Sequence, residues 1–116
     1  MSGPSVVYKI VDAAVWAQAE REGSFAGSGP DLTDGFIHLS TADQAPTTAA
    51  VHFAGVDGLV LLAVDARALG AALKREPSRG GALFPHLYGP LPVSAVLWAK
   101  PLPLGVDGRH AFPRLV

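Results

Sequence analysis

The residues best suited to chemistry sit in two short blocks, Asp34-Gly35-Phe36-Ile37-His38-Leu39-Ser40-Thr41 and Leu83-Phe84-Pro85-His86-Leu87-Tyr88-Gly89-Pro90. Each sets a histidine among apolar neighbours and follows it two positions later with a hydroxyl residue. In an extended strand, residues i and i+2 point to the same face. Each block therefore presents an imidazole and a hydroxyl side by side, roughly 6–7 Å apart along the strand. Two such pairs predict a small polar pocket set into an apolar sheet and built from His38, Ser40, His86 and Tyr88. The same spacing is too long for a direct bond between His38 and Ser40, which argues against Ser40 as a nucleophile with His38 as its base.

Other familiar chemistry is absent from the sequence. It has no GxxxxGK[ST], no GxGxxG after a strand, no HExxH and no GxSxG. The four histidines, His38, His52, His86 and His110, never pair at i, i+3 or i, i+4, so no metal centre is expected. With no cysteine, disulfides, thiolate chemistry and cysteine-ligated zinc are excluded. One more segment has chemical promise. In Glu76-Pro77-Ser78-Arg79-Gly80-Gly81 a guanidinium stands beside backbone N–H groups freed by two glycines, a combination that suits a phosphate; the plainer reading is a solvated turn.

The elements that must position these residues follow from periodicity and punctuation. Residues 6–11 read as a β-branched strand. Asp12 caps a helix over 13–22 that turns Val15, Trp16 and Ala19 to one face and stops at Gly23. Residues 27–31 read as a loop, and 36–40 as the first histidine strand. A second helix runs to about Phe53, with Asp43 as its cap because Pro46 is tolerated only in a first turn. Residues 58–64 form the most buried strand. Asp65 then caps a third helix carrying Leu69, Ala72 and Leu73 and ended by Pro77. The second histidine block leads into a strand over 93–100, and the proline-rich tail is a candidate edge strand.

At 116 residues and 49% hydrophobic content, the chain is expected to fold as one domain over 1–116, a mixed α+β unit whose short helices punctuate a strand-rich core. A formal net charge of −1, with basic residues scattered apart from a short cluster at 74–79, gives no nucleic-acid footprint. Neither a leader pattern nor an apolar run long enough to span a bilayer is visible, so a cytoplasmic protein with no membrane partner is expected.

Taken together, the block 34–44, Leu59-Val60-Leu61-Leu62-Ala63-Val64-Asp65, the Glu76–Gly81 segment, and Phe84-Pro85-His86-Leu87-Tyr88-Gly89-Pro90-Leu91-Pro92 with Ala95-Val96 beyond it resemble the bacterial domain-of-unknown-function family 952 over nearly the whole chain. The resemblance implies an ADP-ribosylation-like fold, a split and strongly curved mixed β-sheet of the kind that grips NAD. It implies that His38 holds a ribose, that Ser40 with Thr41 supports the site, and that Tyr88 stacks on nicotinamide. Transferases of that fold use a late glutamate to stabilise the oxocarbenium-like transition state. No glutamate follows Glu76 here, so Glu76 takes that place only if its loop folds back over the pocket.

Three functions remain open. The first is an enzyme acting on NAD or an ADP-ribosyl group, with His38, His86 and Glu76 as catalytic candidates and Ser40, Thr41, Arg79 and Tyr88 binding the ligand. In the second, the same pocket binds a nucleotide or phosphorylated metabolite without catalysis. In the third, the blocks are folding determinants: His38 and Tyr88 fill the core, the Pro85–Pro90 turn is rigid for its own sake, and Ser40, Thr41, Asp43 and Gln44 open the second helix. Trp16 and Trp98 are read as core. NAD enters only as substrate or ligand, and oligomeric state is left open.

Overall fold

The computed structural model describes residues 5–115, with the Arg79 side chain outside the described residues. Strands β1 (Val6–Asp12), β4 (Leu59–Asp65) and β8 (Val96–Leu102) form an antiparallel sheet in the order β1-β4-β8. Central β4 is apolar at nearly every position because both its faces are covered. Leu59, Leu61 and Ala63 enter one core, while Leu62 and Val64 enter the other.

A second three-stranded sheet, order β3-β6-β5, is made of β3 (Ile37–His38), β6 (Ala82–Leu87) and β5 (Leu73–Ser78). A short ladder pairs β2 (Ser24–Phe25) with β7 (Leu91–Pro92). The two larger sheets meet where the chain leaving β3 reaches the edge of β1. There Tyr8 N donates to Ser40 O at 2.7 Å and Ser40 N donates to Tyr8 O at 2.9 Å. Every ladder is antiparallel, where a mixed sheet was expected. Parallel neighbours need a long crossover, whereas the 3-10 turn Arg79–Gly81 returns β5 directly alongside β6.

Helix α1 (Ala13–Glu22) is bounded as its sequence predicts. Asp12 Oδ1 accepts from Ala14 N at 2.8 Å and Val15 N at 3.2 Å, and Gly23 ends it in the left-handed region at φ 88°. It buries Trp16 and Ala19 but leaves Val15 exposed. The segment read as a loop, 27–31, runs into a one-turn helix, α2 (Pro30–Asp34), begun by a proline whose φ is preset for the first turn.

Helix α3 (Ala45–His52) starts after Gln44, not at Asp43. Thr41 and Gln44 exchange hydrogen bonds in the manner of a capping box: Thr41 N donates to Gln44 Oε1 at 3.0 Å, and Gln44 N donates to Thr41 Oγ1 at 3.3 Å. Asp43 is left exposed.

Asp65 caps α4 (Ala66–Leu69) through Arg67 N at 3.0 Å, but the helix does not run on to Pro77. It gives way to a 3-10 turn at Gly70–Ala72 and then to β5, because pairing with β6 outweighs the helical phase of Leu69, Ala72 and Leu73. Pro77 is tolerated there since β5 is an edge strand. The strand expected over 93–100 begins late, after a 3-10 turn at Val93–Ala95, and takes in the first two residues of the tail, which beyond them forms a bridge between Leu104 and His110.

One core lies between the first sheet, α1 and the apolar side of the second sheet, and includes Val7, Val11, Trp16, Phe25, Ile37, Leu39 and Leu87. The other lies on the opposite side of the first sheet, where Ala45 and Ala49 of α3 meet Tyr8, Ile10, Leu61 and Leu102. Trp98 is half-buried against this second core, with its ring 6.1 Å from that of Tyr8. No helix among the described residues is long and apolar enough to cross a membrane.

Candidate functional site

The register of β3 on β6 sets Ile37 opposite Leu87 and His38 opposite His86. Ile37 and Leu87 face the core, so strand alternation sends both histidines to the other face. Phe36 and Tyr88 join them. The ring of Phe36 is 4.2 Å from His86, 4.6 Å from His38 and 5.2 Å from Tyr88, and the two imidazoles stand edge to face at 5.7 Å. Two histidines that sequence could place only in separate blocks thus share one face.

Each histidine is braced by a carboxylate. Behind His38 lies Asp31, a buried residue of α2 whose Oδ1 stands 2.6 Å from His38 Nδ1 and accepts from His38 N at 2.9 Å. Its Oδ2 accepts from Ser28 N at 3.1 Å. Lys9, also buried, donates to Asp31 Oδ1 at 3.1 Å and to His38 O at 3.0 Å, and lies 2.9 Å from Asp31 Oδ2. Burial alone would raise the Asp31 pKa. The Lys9 charge, together with bonds from the His38 backbone, Lys9 and the His38 ring, outweighs it and holds the carboxyl below its ordinary range. Burial lowers the Lys9 pKa, against the pull of Asp31, and the ionised carboxylate is what keeps the ammonium in place. The outer ring nitrogen, His38 Nε2, is 2.9 Å from Asp34 Oδ2.

Behind His86 lies Glu76. Its Oε1 stands 2.8 Å from His86 Nδ1 and accepts from Tyr88 Oη at 2.8 Å. Those two bonds lower the Glu76 pKa, and the same carboxylate raises that of Tyr88. Glu76 reaches the site without any loop folding over it, because β5 runs beside β6 with Glu76 opposite Phe84.

The remaining candidates sit elsewhere. Ser40 is buried, and its Oγ pairs with Thr48 Oγ1 at 2.9 Å. Thr41 is engaged with Gln44, whose Nε2 donates to Leu83 O at 2.7 Å and ties α3 to the start of the second histidine strand. The Arg79 side chain falls outside the described residues. Among the described residues no group of three or more ligating side chains is placed to hold a metal. A hollow of about 380 Å³ lies apart from this face, between α1 and β2, lined by Val15, Gln18, Ala19 and Phe25 among others.

Sequence reasoning missed Lys9, Asp31, Asp34 and Phe36. One signal was legible: Lys9 shares the inward phase of β1 with Val7 and Val11, and a lysine there requires a buried carboxylate partner.

Fold and site together define a small antiparallel α+β domain with a paired-histidine face braced by carboxylates. The chain belongs to the family described as protein of unknown function (DUF952), whose model matches residues 10–99. It is similar to the crystal structure of protein CC0527 from Caulobacter crescentus, with 54% identity, coverage of 91% of this chain and 93% of that one, and a TM-score of 0.88. The solution NMR structure of CC0527 matches at 54% identity over 91% of each chain, with a TM-score of 0.82. No curated protein matches the chain.

Proposed function

We propose that this domain has an ADP-ribosylation-like fold and acts on a nucleotide of the NAD or ADP-ribosyl class at the face formed by Phe36, His38, His86 and Tyr88. The observation that carries the reading is Glu76, a carboxylate braced by His86 and Tyr88 and held ionised beside an aromatic surface. When the glycosidic bond of NAD breaks, its electron pair leaves with nicotinamide and positive charge develops on the ribose; a fixed carboxylate stabilises that charge. Tyr88 and Phe36 offer ring faces to the base, and His38, oriented by Asp31, holds the ribose-phosphate portion. Water attacks the sugar carbon and gives up a proton to His86.

The experiment is an amide-resolved NMR titration with NAD, ADP-ribose and nicotinamide separately, followed in the same tube for free nicotinamide. Shifts converging on residues 36–41 and 84–89, with nicotinamide release abolished in His38→Ala and Glu76→Gln, are expected. Shifts without release would favour a second reading, a non-catalytic nucleotide binder. That reading has its own support, because Glu76 Oε1 already takes two hydrogen bonds and both His38 nitrogens are engaged. No shift at millimolar ligand would retire both.

A further inference from the structure

The two carboxylates that hold His38 are built differently. Asp31 is a fixed part of the interior, paired with Lys9 and bonded by two backbone N–H groups and His38 Nδ1. Asp34 is the last residue of α2; its side chain is 46% exposed and meets the ring from the solvent side, 2.9 Å from Nε2. The outward nitrogen of an imidazole oriented from behind is where such a site meets its ligand. Here the chain fills that position with an anionic oxygen of its own.

We propose that His38 Nε2 is the anion subsite of this face, taking a phosphate or carboxylate oxygen of the ligand, and that Asp34 is the internal competitor which the ligand displaces. The proposal rests on the reading that this face binds a small molecule, and not on bond cleavage. The other carboxylates of this face already have partners. The Asp31 charge is offset by Lys9, Glu76 is turned toward His86 and Tyr88, and Lys74 lies opposite His86 in register. Once Asp34 swings away, no unbalanced carboxylate remains on the ring.

The test follows the His38 ring resonances at constant ionic strength while inorganic phosphate and, in a separate arm, acetate are added. It is run on the unaltered protein and on the Asp34→Ala, Asp34→Asn and His38→Ala variants. Removing one exposed competing charge should tighten binding at His38 by about two- to fivefold in both Asp34 variants, and His38→Ala should abolish it. A response to phosphate alone assigns the subsite to a phosphate group, and a response to both assigns it to anionic oxygen generally. Unchanged or weaker binding in the Asp34 variants, shifts centred away from His38, or no binding to any variant would overturn the proposal. Nicotinamide release, measured on the same variants, separates the two ideas: raised anion affinity without release leaves the subsite standing and removes cleavage, whereas release with unchanged anion affinity removes the subsite alone.

Discussion

Glu76 is the residue on which the proposed chemistry turns, and its state is set by two neighbours. Hydrogen bonds from His86 and Tyr88 stabilise its ionised form, so it keeps its charge to a pH below the ordinary glutamate range. The same bond makes the Tyr88 phenol harder to ionise. Removing the carboxylate should therefore lower the Tyr88 pKa toward its ordinary value. Ultraviolet titration of Glu76→Gln against the unaltered protein would show it, with Tyr88→Phe identifying which of Tyr8 and Tyr88 is being observed. An unmoved phenolate transition would mean that the Tyr88–Glu76 bond does not persist in solution. In the other direction, Tyr88→Phe should raise the Glu76 pKa and shift the acid limb of any nicotinamide-releasing activity to higher pH.

At the scale of elements, the site depends on how tightly the 27–31 segment folds back on itself. Gly27 adopts φ 112°, and a Cβ built there would stand 2.9 Å from Asp31 Cβ. The missing side chain is what lets Asp31 turn inward to Lys9 and His38. Gly27→Ala should cost about 1–3 kcal/mol for the left-handed backbone alone and should also push Asp31 off the ring. Urea unfolding would report the first effect, and the His38 ring resonances the second. A variant with normal stability and an unmoved ring would show that this turn does not position the site.

For the whole molecule, the Lys9–Asp31 pair joins the first sheet to the strand that carries His38. Breaking it from one side leaves a buried charge, so Asp31→Ala should destabilise the protein by about 3–5 kcal/mol, and Lys9→Met with Asp31→Leu should recover only the part owed to the unpaired Lys9 charge, because the Ser28 and His38 N–H groups still lose their acceptor. Chemical denaturation of the single and double variants measures both. The pH dependence follows from the depressed Asp31 pKa. Its contribution to stability is fully present above the unfolded-state value of about 3.9 and is lost as pH falls through the lower folded-state value. Asp31→Asn should therefore flatten the acid limb of the stability curve. An acid limb of unchanged slope would mean that the pair does not couple to folding.

Much of the architecture was legible because it is written in local terms. Strand β1, the Asp12 cap and Gly23 stop of α1, the buried run of β4 and the Asp65 cap each depend on residues a few positions apart. The two histidine blocks stood out for the same reason, each carrying its pattern within eight residues. Local terms misled where long-range pairing overrode them: residues 73–78 have a helical phase at their start but become a strand on β6, and the glycine-rich 27–31 segment closes into part of α2 around an aspartate. The site was legible only in part: the two blocks supplied His38, His86 and Tyr88, whereas Lys9, Asp31, Asp34 and Phe36 were not read as members. Lys9 meets Asp31 through the fold-back of α2, while the β3-β6-β5 ladders bring Glu76 to His86 and Tyr88 and His38 to His86, across separations of ten residues or more. Sequence by itself determined which face of its strand each residue of the two blocks occupies, since alternation is a property of the backbone. Only the tertiary structure decided which faces meet, because that choice rests on the burial of two apolar cores that no short stretch of chain can form alone.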